Sequence, residues 1–126
     1  MIEYTILDPE GILVLKPDAP LRAADFAGLS ARVDAYLAEH ARLHGVLIHA
    51  DAFPGWENFA GFVAHIRFVR THEQKIERIA VATDSPMAKI AEALGKHFLA
   101  AEIRRFPFAD YDAALAWLKG AVTPHG

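Results

Sequence analysis

The sequence predicts an α/β fold: a single-domain open mixed sheet, mostly parallel, with an N-terminal antiparallel hairpin and flanking helices. Two observations predict it. Short apolar runs alternate with longer amphipathic stretches, giving the order β-β-α-β-α-β-α-β-α. The first two runs are joined by a short turn containing Pro and Gly, which makes them an antiparallel hairpin, while the later runs alternate with helices, as parallel strands do. The 126 residues fit one domain, placed over residues 1–120 with a short tail at 121–126.

In the first strand Ile2, Tyr4 and Ile6 alternate with Glu3 and Thr5 before Leu7. Asp8-Pro9-Glu10-Gly11 is the turn, and Ile12 to Lys16 the second strand. Pro17 and Pro20 break it. From Ala23 to His40 the apolar spacing is helical, with Phe26, Leu29, Val33, Tyr36, Leu37 and His40 on one face. Gly45 closes that connection, and Val46 to Ala50 reads as a buried strand. A second helix is expected from Glu57 to His72, with Phe59, Phe62, Val63, Ile66 and Val69 as its core stripe and Phe68 opposite. Gly61, Ala64, His65 and His72 flank that opposite face. Arg78 to Thr83 is the next strand. Ser85-Pro86 opens a third helix with Ile90, Leu94 and Phe98 inward. Ala101 to Phe106 carries more charge and reads as an edge strand. Asp110 caps a last helix through Tyr111, Ala114, Leu115 and Leu118, which Gly120 ends.

Apolar residues make up 53% of the chain, but 24 of them are alanine, so large apolar side chains are not in excess. Thirteen basic and sixteen acidic residues give a net charge of −3, without the basic footprint that nucleic acid demands. The absence of cysteine excludes disulfides, thiolate metal sites and thiol catalysis. No apolar run reaches the roughly 20 residues of a membrane span. The start of the chain does not read as a signal peptide. The expected location is the cytoplasm, with a peripheral membrane contact.

Glycine-rich phosphate loops and the G-x-S-x-G nucleophile elbow are both absent. Ser85 reads as a helix cap. His40 and His44 have a spacing that would put two imidazoles on one helix face as metal ligands, but no H-E-x-x-H pattern accompanies them. Helix-end capping is the plainer reading, and no metal or cofactor is expected. His65 and His72, seven apart, are discounted in the same way. At the carboxyl ends of the strands lie His49, Asp51, Thr83, Asp84 and Ser85. His49 and Asp51 could serve a weak hydrolase or isomerase as acid and base, against the plainer reading of loop capping.

The aromatics are the most uneven feature. Phe53, Trp56, Phe59, Phe62 and Phe68 fall within sixteen residues, and the whole chain has thirteen. Either they simply pack, or a loop and helix form an apolar pocket wall or docking surface. Arg67, Arg70, Lys75 and Arg78 follow closely, against Glu73 and Glu77; such a cluster could meet an anionic head group, with a solvated helix end as the commoner explanation.

This pattern resembles the SpoIIAA-like family, bacterial relatives of the STAS (sulphate transporter and anti-sigma-factor antagonist) domain. The resemblance covers Met1 to Gly120. It rests on the element order, on Phe53-Pro54-Gly55-Trp56, on Arg78-Ile79-Ala80-Val81-Ala82-Thr83-Asp84, and on Phe106, Ala114 and Trp117-Leu118. It implies likeness to the CRAL-TRIO lipid-transfer fold, in which a mobile helix opens over an apolar cavity. Here that element corresponds to Phe53–Val69. The resemblance implies no catalytic reaction. One departure matters: residues 51–58 hold no Ser or Thr where the antagonists carry a phosphorylatable serine.

The expectation is a non-enzymatic module for a small apolar or lipid-like ligand, with Asp51, Phe53, Trp56, Phe59, Phe62 and Met87 lining the site. Phe68, Arg67 and Arg70 are expected on a membrane or partner surface. A STAS-type protein-interaction module, with a second copy or another protein as partner, is the alternative.

Overall fold

A computed structural model describes residues 2–7, 10–52, 54–86, 92, 96 and 101–120. The hairpin pairs β1 (Ile2–Leu7) antiparallel to β2 (Ile12–Pro17). Gly11 takes the left-handed conformation, φ 71°, and its N–H donates to the Leu7 carbonyl at 2.8 Å. Then follow α1 (Ala23–Leu37), β3 (Leu43–His49), α2 (Phe59–His72), a short 3-10 turn (Glu73–Lys75), β4 (Ile76–Ala82), β5 (Glu102–Phe106) and α3 (Tyr111–Lys119). Among the described residues the sheet has five strands in the order β1-β2-β3-β4-β5, parallel from β2 onward. The expected fold class is therefore the observed one. The third helix of the sequence reading lies almost wholly outside the described residues, of which Glu92 and Lys96 are helical. Met87, Phe53 and the Asp8-Pro9 turn lie outside them too.

Each parallel crossover steps to the next strand in the same direction. Right-handed crossovers of that kind put successive helices on one face, and α1 and α2 pack against each other there. Alternate residues of β2 face opposite ways. Leu13 and Leu15 join Phe26, Leu29, Val33 and Tyr36 of α1 in one core. Ile12 and Val14 join Leu47, Ala80, Ala114, Trp117 and Leu118 in the other, under α3. Covered on both faces, β2 reads as a continuous apolar run rather than an alternating one.

Three expectations change. First, β3 begins at Leu43, so Gly45 lies inside the strand instead of closing the connection. Leu118 of α3 explains the glycine: a Cβ at Gly45 would lie 2.7 Å from Leu118 Cδ2. Second, α1 stops at Leu37, so His40 and His44 do not share a helix. His40 donates from Nδ1 to the Tyr36 carbonyl at 3.1 Å and stacks on its ring. His44 sits in β3 and meets Glu77 Oε2 at 2.9 Å.

Third, α2 is rotated about its axis from the expected orientation. Gly61 and His72 are buried, with Ala64, His65 and Phe68 half-buried between them. Phe59 is 76% exposed and Ile66 46%. Phe59 and Ile66 of the expected core stripe thus look outward, while Phe62, Val63 and Val69 are half-buried beside them, and the face opposite packs on α1. At the far end of the chain Asp110 precedes α3 as expected, but its side chain makes no capping hydrogen bond. Gly120 closes α3 in the left-handed conformation, φ 72°.

Candidate functional site

The loop before α2 is fastened to the segment before α1 by backbone alone. Leu21 N–H donates to Gly55 O at 2.8 Å, and Glu57 N–H donates to Leu21 O at 2.8 Å, making a short parallel bridge between Leu21 and Trp56. Asn58 caps α2, its Oδ1 accepting from Gly61 N–H at 3.1 Å. Asp25 starts α1 in a similar way, accepting from Arg22 N–H at 2.9 Å. Burial works against the charge of Asp25, yet the carboxyl lies below its usual range, the Arg22 N–H being the largest of the contributions that lower it.

Trp56 is half-buried on this platform. Its indole N–H donates to His65 Nδ1 at 3.2 Å, and the His65 ring stacks on Phe26 at 4.9 Å. Burial pushes the His65 imidazole below its ordinary pKa, because a charged ring would lose its hydration there. Phe62 meets the Trp56 ring edge-on at 4.8 Å, and Phe59 follows 6.0 Å from Phe62. Three of the ligand-site residues read from sequence, Trp56, Phe59 and Phe62, therefore form one aromatic row. Asp51 stands apart from it. That residue is exposed, and its carbonyl accepts from Thr83 Oγ1 at 3.3 Å.

The sequence reading puts Phe68 with Arg67 and Arg70 on an outward surface. In the structure Phe68 turns inward, packing on the α1 core with its ring 6.1 Å from Phe26. It lies about 180° around the helix from Phe59, at 100° per residue, so the two cannot share a surface. Arg67 and Arg70 do face outward, and both are exposed. Phe62, Val63, Ile66, Arg67, Arg70 and Thr71 line an open groove of about 450 Å³ along this side. Val63, Ile66 and Thr71 were not legible as site residues; the first two read as core. Helix α2 holds no acidic residue, so the face is apolar with a cationic end.

The carboxyl ends of the strands are occupied by structural bonds. His49 donates from Nε2 to Phe108 O at 3.1 Å and stacks on the Phe108 ring at 4.3 Å. Thr83 Oγ1 accepts from Ser85 N–H at 3.1 Å, and Asp84 Oδ1 accepts from Phe108 N–H at 3.1 Å. Among the described residues no hydrogen bond joins His49 to Asp51. No group of three His, Asp or Glu among them could hold a metal ion, and no described helix is long and apolar enough to cross a membrane.

Comparison with known proteins agrees with this architecture. A crystal structure of an uncharacterised protein of the DUF3478 family with a SpoIIAA-like fold, from Shewanella loihica PV-4, superposes with a TM-score of 0.70 at 19% sequence identity, over 94% of this chain and 92% of that one. At that identity the likeness shows the fold alone. No curated protein matches the sequence. The family model for SpoIIAA-like proteins matches residues 12–119, a span running from β2 to the end of α3. The chain belongs to the SpoIIAA-like family.

Proposed function

We propose that the chain is a non-enzymatic binding module, and that the outer face of α2 takes an amphipathic, lipid-like ligand with an anionic head group. The observation behind this reading is the stripe of exposed Phe59 and Ile66 with half-buried Phe62 and Val63 along the open groove, which ends at Arg67 and Arg70 on a helix without acid. From Phe59 to Arg70 the stripe spans about 16 Å at 1.5 Å per residue. An apolar chain laid along it covers rings otherwise open to water. Fully burying a side chain such as Phe or Ile is worth about 1.5–3 kcal/mol. A basic residue near an anionic surface adds about 1 kcal/mol.

Co-sedimentation with phosphatidylglycerol vesicles tests a membrane surface, and native mass spectrometry with a free fatty acid tests a single captured molecule. Phe59→Asp should weaken either by tenfold or more. Arg67→Glu with Arg70→Glu should remove the preference for anionic over zwitterionic vesicles. Wild-type protein that binds neither probe sinks the proposal. A second reading keeps the same face for a protein partner, because residues 59, 62, 66 and 70 follow the spacing by which a helix anchors in a partner's groove. Salt-insensitive association between proteins, lost in Phe59→Asp, would favour it.

A further inference from the structure

The inner face of α2 carries two imidazoles whose hydrogen bonds demand opposite protonation. An indole N–H only donates, so His65 Nδ1, 3.2 Å from Trp56 Nε1, must present a lone pair. His65 is neutral in that bond. His72 is 3% exposed, with Nδ1 2.9 Å from Phe68 O and Nε2 2.8 Å from Asp34 Oδ1. A carbonyl and a carboxylate only accept, so both ring nitrogens must carry hydrogen. His72 is an imidazolium in that pair of bonds. A neutral ring would set a bare nitrogen against the carbonyl or the carboxylate.

The two rings stand seven residues apart, two turns along one face. His65 anchors the N-terminal half of the helix to the Trp56 loop. His72 anchors the C-terminal end to Asp34 of α1. We infer that α2 is clamped to the body of the protein only within a window of pH, with acid releasing the Trp56 end by protonating His65 and alkali releasing the other end by deprotonating His72.

The groups around each ring fit this assignment. His65 faces Phe26 of α1 and Trp56 of the loop, neither of them charged. The charges closest along those elements are Arg22, Asp25 and Glu57, which are joined through Arg22. His72 faces Asp34 of α1 and the Phe68 ring of its own helix, 4.5 Å away. Glu73 and Lys75 follow it in the 3-10 turn, and His40 at the end of α1 is held by Tyr36. Burial favours the neutral form of His65, and the two acceptors 2.9 and 2.8 Å from the ring nitrogens of His72 call for a hydrogen on each. The device does not depend on what the outer face binds.

The experiment uses the full chain without ligand, labelled with ¹⁵N, from pH 4.5 to 9. Long-range ¹H–¹⁵N spectra of the imidazoles report protonation and tautomer directly. At pH 7 His65 should show a bare Nδ1 and a protonated Nε2, and His72 should show both nitrogens protonated. Amide exchange of residues 59–72, corrected for the intrinsic pH dependence, should be slowest near neutrality and about tenfold faster at each extreme, the loss of one hydrogen bond. His65→Phe, which keeps the stacking, should abolish the acid limb alone. Asp34→Asn, which removes the carboxylate partner of His72, should abolish the alkaline limb alone. A neutral His72 or a charged His65 at pH 7 overturns the inference, as does corrected exchange that stays flat in the wild type. The wild-type readings stand even if a variant fails to fold.

Discussion

Among the described residues two glycines sit inside helices, and replacing each by alanine should have opposite effects. At Gly61 an ideal Cβ would lie 2.4 Å from the Leu21 carbonyl oxygen, 3.3 Å from its carbon and 3.4 Å from Arg22 Cα. All three are backbone atoms, so no side chain can rotate aside. The Leu21 oxygen is held in place, since it accepts from Glu57 N–H at 2.8 Å. Helix α2 must therefore retreat by roughly 1 Å to restore van der Waals distance, straining the Asn58 cap and the Trp56–His65 bond. Overpacking of this kind costs about 1–3 kcal/mol. Removing a helical glycine returns about 0.5–1 kcal/mol. Gly61→Ala should be destabilising by about 1–2 kcal/mol on balance. At Gly28 the added Cβ would meet only the Tyr4 hydroxyl, 3.8 Å away, so Gly28→Ala should stabilise by about 0.5–1 kcal/mol. Urea unfolding followed by circular dichroism measures both, with unchanged m-values required for the comparison. Helix propensity alone predicts stabilisation in both variants. Equal gains would refute the close contact between α2 and the Leu21 backbone.

Other outcomes follow from the same structure. Asn58→Ala removes the cap on Gly61 N–H and should cost about 1 kcal/mol in urea unfolding. Phe59→Ser and Phe68→Ala should separate the two faces of α2. The first should leave the unfolding free energy within about 0.5 kcal/mol of wild type because its side chain is exposed, whereas the second should cost up to about 3–5 kcal/mol because its ring packs on the core. Equal costs would place both rings on one face. Stability should also fall with acid through His65. Its pKa is lowered in the folded state, so the unfolded chain binds the proton first and the loss begins as pH drops below about 6.5, the unfolded value. Urea midpoints at pH 7 and pH 5, compared with His65→Phe, measure this contribution; an identical pH slope in the two proteins would assign the acid loss to other groups.

Much of the sheet was legible because its signals are local. The continuous run Ile12–Leu15 marks a strand covered on both sides, and Phe26, Leu29, Val33 and Tyr36 mark a helix with one buried face. Gly120 sits where a helix end needs a left-handed residue. The start of β3 was not legible, because Gly45 looks like a breaker in its own neighbourhood. What requires glycine there is Leu118, which α3 brings across the sheet from 73 positions away. No window of neighbouring residues contains that demand. The candidate site was half legible for a related reason: Trp56, Phe59 and Phe62 stand out by composition, but which way they face is decided by partners on α1.

The orientation of α2 follows from those partners. Two faces were open to the helix: the apolar stripe of Phe59, Phe62, Val63 and Ile66, and the mixed stripe of Gly61, Ala64, His65, Phe68 and His72. Hydrophobicity favours burying the first, and would add about 1.5–3 kcal/mol for each large side chain fully covered. Such a rotation would also carry Arg67 and Arg70 toward α1 and strip water from their charges. It would break the His72–Asp34 and His65–Trp56 bonds and lift Gly61 off the one backbone its lack of a Cβ allows it to touch. Polar groups are buried at low cost once paired, so the two imidazoles let the less apolar face pack inward. The more apolar face is then left over on the outside, next to two arginines. An exposed apolar stripe that the rest of the fold prevents from turning inward is where a ligand or partner gains the most by binding. The inward-facing histidines and the outward-facing aromatics are thus two consequences of a single choice of helix face.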